Sequence, residues 1–200
     1  VPESRDQILD FQLYANNHIP NFAGIYLYRS QCVTDVENEM AVVPRPPDEI
    51  AREVEQKAQL GVTTFAFFDE EVRFEHRQHL IDVLEAIASL GRKRIGLVSV
   101  GNISPRLIDT EVAHYMGKAN YRQVYLKCDV THYPQGASFD TSYDTYRTCV
   151  DALHKETKFK PRTDQINALL LVGIPYESLE EVAERLIRLA SIVGSVNLVQ

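Results

Sequence analysis

The sequence contains little cysteine, no long apolar run and no leader pattern. Its cysteines, Cys32, Cys128 and Cys149, are odd in number and far apart, which argues against a disulfide framework and indicates a reducing compartment. No segment approaches the roughly 18 uninterrupted apolar residues of a membrane-spanning helix, and the first residues lack the pattern of a signal peptide. We therefore expect a cytoplasmic protein that does not enter a membrane.

Basic residues are also scarce. The net charge is −7, and the 21 Lys and Arg residues form no run longer than the three of Arg92–Arg94, which argues against a surface for nucleic acid or anionic membrane. A small-molecule or peptide substrate is therefore the expected partner. With 200 residues and 44% apolar content, the chain is predicted to form one domain with a substantial core.

One stretch combines a strand, a corner and a helix. The apolar run that begins at Ile166 shows almost no alternation, which is typical of a strand covered on both faces in a parallel sheet. Gly173 and Pro175 form the corner, and Ser178 with Glu181 forms a capping box. The helix then carries one apolar stripe that we expect to face the core. Its members are Leu179, Val182, Ala183, Leu186, Ile187 and Ala190.

The rest of the chain repeats this unit. Strands are predicted at 24–28, 62–68, 94–100, 123–128, from 166 and at 196–199. Helices are predicted at 47–60, 80–90, 104–116, from 141 and from 178. This alternation predicts right-handed crossovers and a parallel sheet. The expected fold class is α/β, a parallel (β/α)6 partial barrel that is TIM-barrel-like, with a doubly wound open sheet as the alternative.

Three short motifs, taken in order, resemble those of a known family. Residues 67–72 (Phe-Phe-Asp-Glu-Glu-Val) form an apolar strand that ends in an acidic pair. Residues 46–50 (Pro-Pro-Asp-Glu-Ile) resemble a Ser-Pro-Glu-Glu helix start, and 171–178 (Leu-Val-Gly-Ile-Pro-Tyr-Glu-Ser) resemble a Gly-x-Pro-Gly-Glu-Thr corner. Their order and spacing are similar to those of the radical S-adenosylmethionine (SAM) superfamily, in the branch that often carries a cobalamin-binding domain. The resemblance covers residues 20–200 and implies a (β/α)6 partial barrel.

The iron–sulfur motif of that family is incomplete here. The family's Cys-x-x-x-Cys-x-x-Cys loop binds three irons of a 4Fe–4S cluster. Cys32 lies where the first cysteine is expected, but Val36 and Glu39 occupy the other two positions, and a carboxylate is a poor substitute for a thiolate. Three explanations stay open, namely cluster-loop residues missing from the sequence, a degenerate domain that kept the fold, and an unrelated α/β barrel.

The resemblance also implies ligand residues at the carboxyl ends of the strands, where such barrels bind their ligands. Asp69 and Glu70 would meet the amino group of SAM, although acidic residues also favour the dipole of a following helix. Ser99 and Asn102 could bond a carboxylate or ribose, or could simply form a turn. Asp129 is similar to the acidic residue of the family's Gly-x-Glu-Ser. The corner after the fifth strand completes the set with Gly173, Pro175 and Glu177, which an ordinary strand-to-helix corner would also use.

Two functions are consistent with these residues and with the resemblance. The first is a radical SAM-type enzyme domain that cleaves SAM reductively at a 4Fe–4S cluster, with Cys32 as a metal ligand and cobalamin supplied by another domain. The second is a cluster-free binding or scaffold domain of the same fold, which is suggested because Cys32 stands alone in the motif.

The resemblance also predicts which segments of the chain are ordered and which strand of the barrel is left uncovered. Residues 1–23 are predicted to be an irregular lead-in to a barrel at 24–200, and 29–47 a loop, of which 29–44 should be poorly ordered because a cluster loop draws its order from metal bonds. The barrel should be open beside its last strand, which a further domain or subunit would cover. His76 and His79 are predicted to be surface histidines rather than metal ligands.

Overall fold

The computed structural model describes residues 21–32, 40–69, 72, 76–100, 103–129, 143–161, 163–173 and 178–199. The strands in these ranges are β1 (Phe22–Ile25), β2 (Tyr28–Cys32), β3 (Met40–Pro44), β4 (Thr64–Phe67), β5 (Gly96–Ser99), β6 (Tyr121–Asp129), β7 (Ile166–Leu171) and β8 (Ser195–Val199). The α-helices are α1 (Pro47–Gln59), α2 (Arg77–Ser89), α3 (Thr110–Lys118), α4 (Tyr143–Glu156) and α5 (Leu179–Ala190). None of these helices is long and apolar enough to cross a membrane.

Six of the strands form one parallel sheet in the order β1-β4-β5-β6-β7-β8. Each α-helix packs against the next one along the chain. This sequential order is that of a singly wound barrel, because a doubly wound sheet reverses its strand order and carries helices on both faces. Among the described residues β1 and β8 do not pair. The predicted α/β partial barrel, open beside its last strand, is confirmed.

The side chains of this sheet alternate between two faces. Those that point toward the helices form the core. The largest fully buried ones on the strands are Ile25, Phe65, Phe67 and Leu97, and they share one apolar cluster with Ile50, Leu84, Met116 and Tyr146. The opposite face, here named the inner face, carries Phe22 and Gly24 beside Thr64 and Ala66. Tyr26 and Phe68 continue this alternation just beyond the ends of the two strands, where their rings pair. Two of its members, Phe68 and Tyr26, are almost half exposed, so the inner face of the open barrel is accessible.

The ends of the first two helices follow the expected turn chemistry. Pro47 occupies the first position of α1, where its missing N–H costs no hydrogen bond. Gly61 and Gly91 follow α1 and α2 with φ values of 102° and 64°, in the left-handed region that glycine enters at no steric cost. These helix boundaries were predicted within a few residues.

The third helix begins later than predicted. Ser104 and Pro105 open a 3-10 turn at Pro105–Leu107, in which the Ser104 side chain accepts a bond from the N–H of Arg106. The α-helix starts only at Thr110, because the side chain of Asp109 accepts from the N–H of Val112 at 2.9 Å and caps that position. The prediction of one helix from 104 was therefore wrong, since a second cap lies within the same stretch.

The segment predicted as a loop contains a second, smaller sheet. Strands β2 and β3 pair antiparallel from Tyr28 opposite Pro44 to Cys32 opposite Met40. The loop assignment for 29–47 is therefore wrong for the residues of these two strands, whereas the expected poor order of 29–44 stays a prediction. Residues 33–39 lie outside the described part of the chain, as do 1–20 of the predicted lead-in.

The last helix buries less of its apolar stripe than predicted. The capping box of Ser178 and Glu181 is present, but the exposed fractions of Leu179 and Ile187 are 84% and 70%. Leu189 is instead the buried residue of α5. Leu186 of the same stripe is partly buried against the core, and α5 contacts α4 and β8.

The outer edge of β1 is occupied by side chains. Lys57 donates to the carbonyl oxygen of Gly24 at 3.1 Å, and Arg45 donates to that of Tyr26 at 2.9 Å. Both cations pair with Glu53, at 2.5 Å for Lys57 and 2.6 Å for Arg45. An edge strand whose acceptors are already bonded cannot readily pair with another strand. This network therefore favours the open form of the barrel.

Candidate functional site

The carboxyl ends of the parallel strands bring several predicted ligand residues to one rim of the barrel. Asp69 lies two residues beyond β4, Ser99 ends β5, Asp129 ends β6, and Gly173 lies two residues beyond β7. Ligands of α/β barrels bind at this rim. Four further predicted residues, Glu70, Asn102, Pro175 and Glu177, lie outside the described residues, as do the side chains of Asp129 and Cys32.

Asp69 connects the rim to the small antiparallel sheet. Its side chain is buried, with 9% of the residue exposed. Oδ2 accepts a bond from the N–H of Leu27 at 2.8 Å, and Oδ1 accepts one from the N–H of Tyr28 at 3.1 Å. Both N–H groups lie where β1 passes into β2. The Asp69 carboxylate thus holds the backbone in place at the start of β2, the strand that ends in Cys32.

Burial raises the pKa of the Asp69 carboxyl group, and the bonds from Leu27 and Tyr28 together with the charge of Arg45 oppose that rise. The two carboxylate oxygens have about four acceptor positions between them, and the backbone N–H groups of Leu27, Tyr28 and Asp69 itself occupy three of these positions. Asp69 can therefore still accept a bond from a ligand cation. Its role as a SAM contact stays a prediction.

Two histidines, His76 and His79, lie next to the backbone segment that Asp69 binds. Burial lowers the pKa of His79, and its Nε2 lies 3.2 Å from the carbonyl oxygen of Leu27; because a carbonyl only accepts, Nε2–H is the donor. The ring of Tyr28 lies 5.1 Å from that of His76 and 6.0 Å from that of His79, between centroids. Both histidines are half-buried, with Tyr28 packed against them.

Ser99 is fully buried on the helix side of the sheet. The parallel register places it beside Phe67, and its hydroxyl oxygen accepts a bond from the N–H of Tyr125 at 3.2 Å. That bond joins β5 to β6 just beyond a shift in their register. The structure therefore gives Ser99 a structural partner, and contact with a ligand stays a prediction.

Gly173 has the backbone conformation that the corner requires. Its φ is 80°, in the left-handed region where a side chain would be strained. The residue is exposed, so its backbone is accessible at the rim. Asp129 pairs with Leu170 across a register shift in β6, which brings the carboxyl ends of β6 and β7 together.

The inner face carries an aromatic group that was not predicted from the sequence, formed by Phe22, Tyr26 and Phe68. The ring centroids of Phe22 and Phe68 are 6.0 Å apart at an interplanar angle of 83°, and those of Tyr26 and Phe68 are 6.4 Å apart at 40°. The three residues are 42%, 49% and 43% exposed. The signal was the alternation of Phe22, Gly24 and Tyr26, which in a strand places all three on one face.

The cysteines of the chain do not form the motif of a 4Fe–4S cluster. Cys149 lies in α4, where its side chain is buried and burial raises the pKa of its thiol. Cys128 lies within β6, and Cys32 ends β2. Among the described residues no group of three His, Cys, Asp or Glu side chains could hold a metal ion. Cys32 is therefore the one cysteine of the sequence in the segment where the family carries its cluster.

Comparison with known proteins agrees with this architecture. No protein family and no curated protein matches the chain. Among solved structures, the radical SAM methyltransferase TsrM from Kitasatospora setae, with tryptophan substrate and the SAM analog aza-SAM bound, matches 94% of this chain with a TM-score of 0.67 and 16% identity. The chain therefore shares its α/β partial-barrel fold with a part of that enzyme. The match covers 36% of that enzyme's chain, so the likeness establishes the fold alone.

Two other solved structures match less well. A sugar phosphate isomerase/epimerase from Parabacteroides distasonis has a TM-score of 0.29 and 10% identity over 88% of this chain and 77% of its own. The 3-keto-D-glucoside 4-epimerase YcjR from E. coli has a TM-score of 0.27 and 11% identity over 78% of this chain and 75% of its own. Similarity at this level carries no argument about function.

Proposed function

We propose that the chain is a domain of the radical SAM fold that binds SAM at the carboxyl-end rim of its barrel, and that it does so without an iron–sulfur cluster. The observation that carries the proposal is the rim itself, where the buried carboxylate of Asp69 and the exposed backbone of Gly173 lie at the ends of strands of this fold. The proposed location is cytoplasmic, and a small-molecule or peptide substrate is the proposed partner.

The chemistry of the rim suits a cationic ligand. SAM carries a positive sulfonium and an amino group, and the Asp69 carboxylate retains an acceptor position for a cationic group. Both oxygens are held by backbone donors, so the carboxylate does not need to reorient when a ligand binds. Glu70, Asn102, Asp129, Pro175 and Glu177 complete the proposed contacts, because the resemblance assigns ligand roles to these positions.

The thiol chemistry argues against a cluster. Cluster ligands are thiolates, whereas the positions four and seven residues after Cys32 are Val36 and Glu39. Strands β2 and β3 pair through cross-strand backbone bonds. Cobalamin in another domain is compatible with either function and stays part of the proposal.

A second candidate is the enzyme domain that cleaves SAM reductively. The observation in its favour is the place of Cys32 at the end of β2, where the resemblance puts the first cluster cysteine. A longer protein that supplies the other ligands would satisfy this candidate. In either case a further domain or subunit is proposed to cover β8 and the exposed residues Leu179 and Ile187.

Anaerobic reconstitution separates the two candidates. The purified chain is incubated with iron, sulfide and a thiol reductant, then desalted, and its iron content and visible absorbance are measured. We expect no stoichiometric iron and no cluster absorbance, and the variant Cys32→Ser should behave like the wild type because a lone thiolate cannot hold the cluster. A cluster at near full occupancy that Cys32→Ser abolishes would contradict the cluster-free proposal and establish the second candidate.

A further inference from the structure

We infer that the aromatic group formed by Phe22, Tyr26 and Phe68 binds the planar ring of an aromatic substrate. This inference deepens the proposed function and rests on it, because it names a substrate class for the ligand-binding face of the same barrel. The three rings lie on the inner face, away from the helices that bury the opposite face. A contiguous group of exposed apolar side chains is typical of a ligand-binding or interaction surface.

Gly24 shapes the group. A Cβ atom at Gly24 would lie 2.3 Å from Cδ2 of Phe68, far inside van der Waals contact, so any side chain there would displace the ring. The glycine allows Phe68 to lie across β1 between Phe22 and Tyr26. The arrangement thus depends on four residues, contributed by two neighbouring strands. Single apolar residues are often exposed without a function, but such a combination is not expected by chance.

Exposing these three rings to water does not stabilise the fold. Each of the three residues leaves more than two fifths of its surface in water, although neighbouring Phe67 on the same strand end is fully buried. Ring pairs at these distances and angles favour offset and edge-to-face contacts. A planar ring placed against Phe68 would extend the same geometry and remove the exposed apolar area from water.

The polarity of the group selects the ligand. The neighbouring carbonyl oxygens of Gly24 and Tyr26 already accept bonds from Lys57 and Arg45. The hydroxyl of Tyr26 is the polar side-chain group among the three rings. A phenyl, phenol or indole ring, with at most one hydrogen-bonding atom, fits this surface. Adenine fits less well, because its several polar edge atoms would lose their water without gaining partners.

The test uses the absence of tryptophan from the chain, which allows selective excitation of an indole probe. The fluorescence anisotropy of N-acetyltryptophanamide is titrated with the full chain. We expect saturable binding, weakened about tenfold by Phe68→Ala because the ring supplies both stacking and buried area. Gly24→Ala should weaken it too, although no aromatic atom is removed. The control Leu198→Ala should not, since Leu198 is an exposed residue of β8, at the other end of the sheet from β1.

Each outcome decides the inference. Equal binding by the wild type and Phe68→Ala, or no binding by the wild type, would overturn it. Displacement of the probe by adenosine at equal concentration would also overturn it, because the group would then hold the adenine of SAM rather than a separate substrate. SAM binding is measured on the same preparations. SAM binding without indole binding would remove this inference and leave the proposed function, whereas indole binding without SAM binding would remove the proposed function.

Discussion

Replacing Asp69 with alanine is expected to destabilise the fold by about 3 kcal/mol, because two buried backbone donors lose their charged acceptor at once. The N–H groups of Leu27 and Tyr28 have their bonds to Asp69 at 2.8 and 3.1 Å. Asp69→Asn keeps one acceptor oxygen and should cost about 1–2 kcal/mol, because its amide NH2 group cannot accept the second backbone bond. Urea denaturation followed by circular dichroism measures both changes.

The matched control is Asp82→Ala. Asp82 is an exposed residue of α2 that accepts a bond from Gln78 one turn earlier, and such surface changes usually stay within about 0.5 kcal/mol. If Asp69→Ala proved no more destabilising than Asp82→Ala, the hydrogen bonds from Leu27 and Tyr28 to Asp69 would not stabilise the fold as proposed.

Titration of the Asp69 carboxyl group should also make the free energy of unfolding depend on pH, in a predictable direction. Burial raises the pKa of Asp69 in the folded chain, so the folded state binds this proton more readily than the unfolded state. The contribution of the group to stability is then largest below the unfolded pKa and falls as pH rises through the interval between the two values. Relative to Asp69→Asn, the wild type should gain stability as pH is lowered from 7 toward about 4. A relative loss would show that the backbone bonds outweigh burial.

Phe67→Ala should have an effect of about 3–5 kcal/mol, the range for removing a fully buried aromatic ring. Phe67 has no exposed surface, and its ring centroid lies 6.3 Å from that of Tyr121. Phe68→Ala, the next residue, should cost only about 1 kcal/mol, because Phe68 is 43% exposed and its ring loses only its pairs with Phe22 and Tyr26.

This adjacent pair tests which face of the sheet is the core. Denaturation of the two variants in parallel compares rings of the same type one position apart, which the pleat of the strand sends to opposite faces. Comparable losses of stability in both variants would contradict the assignment of Phe68 to an accessible inner face.

Features set by neighbouring residues were predictable from the sequence. The continuous apolar run of β7 and the capping box at Ser178 and Glu181 involve residues a few positions apart. The same holds for Pro47 and Gly61 at the ends of α1. Their order along the chain then predicted a parallel partial barrel, because strands separated by helices need crossovers in one hand.

Features set by distant residues were not predictable in the same way. Asp69 meets backbone groups about 40 positions earlier, and no local pattern marks such a partner. The strand character of Tyr28–Cys32 depends on pairing with Met40–Pro44, since the short polar stretch lacks an alternating pattern. Amphipathic spacing in α5 identified its apolar residues but not which of them a neighbour covers, so Leu179 and Ile187 were placed wrongly.

The barrel's opening also depends on long-range contacts. Lys57 and Arg45 reach the carbonyl oxygens of β1 from α1 and from the end of β3. Periodicity alone allowed both a barrel and a doubly wound sheet, and only the pairing order distinguishes them. The aromatic group on the inner face joins residues more than 40 positions apart, from β1 and from the end of β4, and is visible only once those strands are paired.

The measurement that tests the central claim most directly is calorimetric titration of SAM into the iron-free protein. We predict saturable binding at one site, weakened in Asp69→Asn and unchanged in Asp82→Ala, because the carboxylate at the rim contacts the ligand cation. The same titration follows attempted reconstitution with iron and sulfide. Absence of SAM binding in the iron-free protein would contradict the proposed cluster-free site, whether binding then appears with iron or not at all.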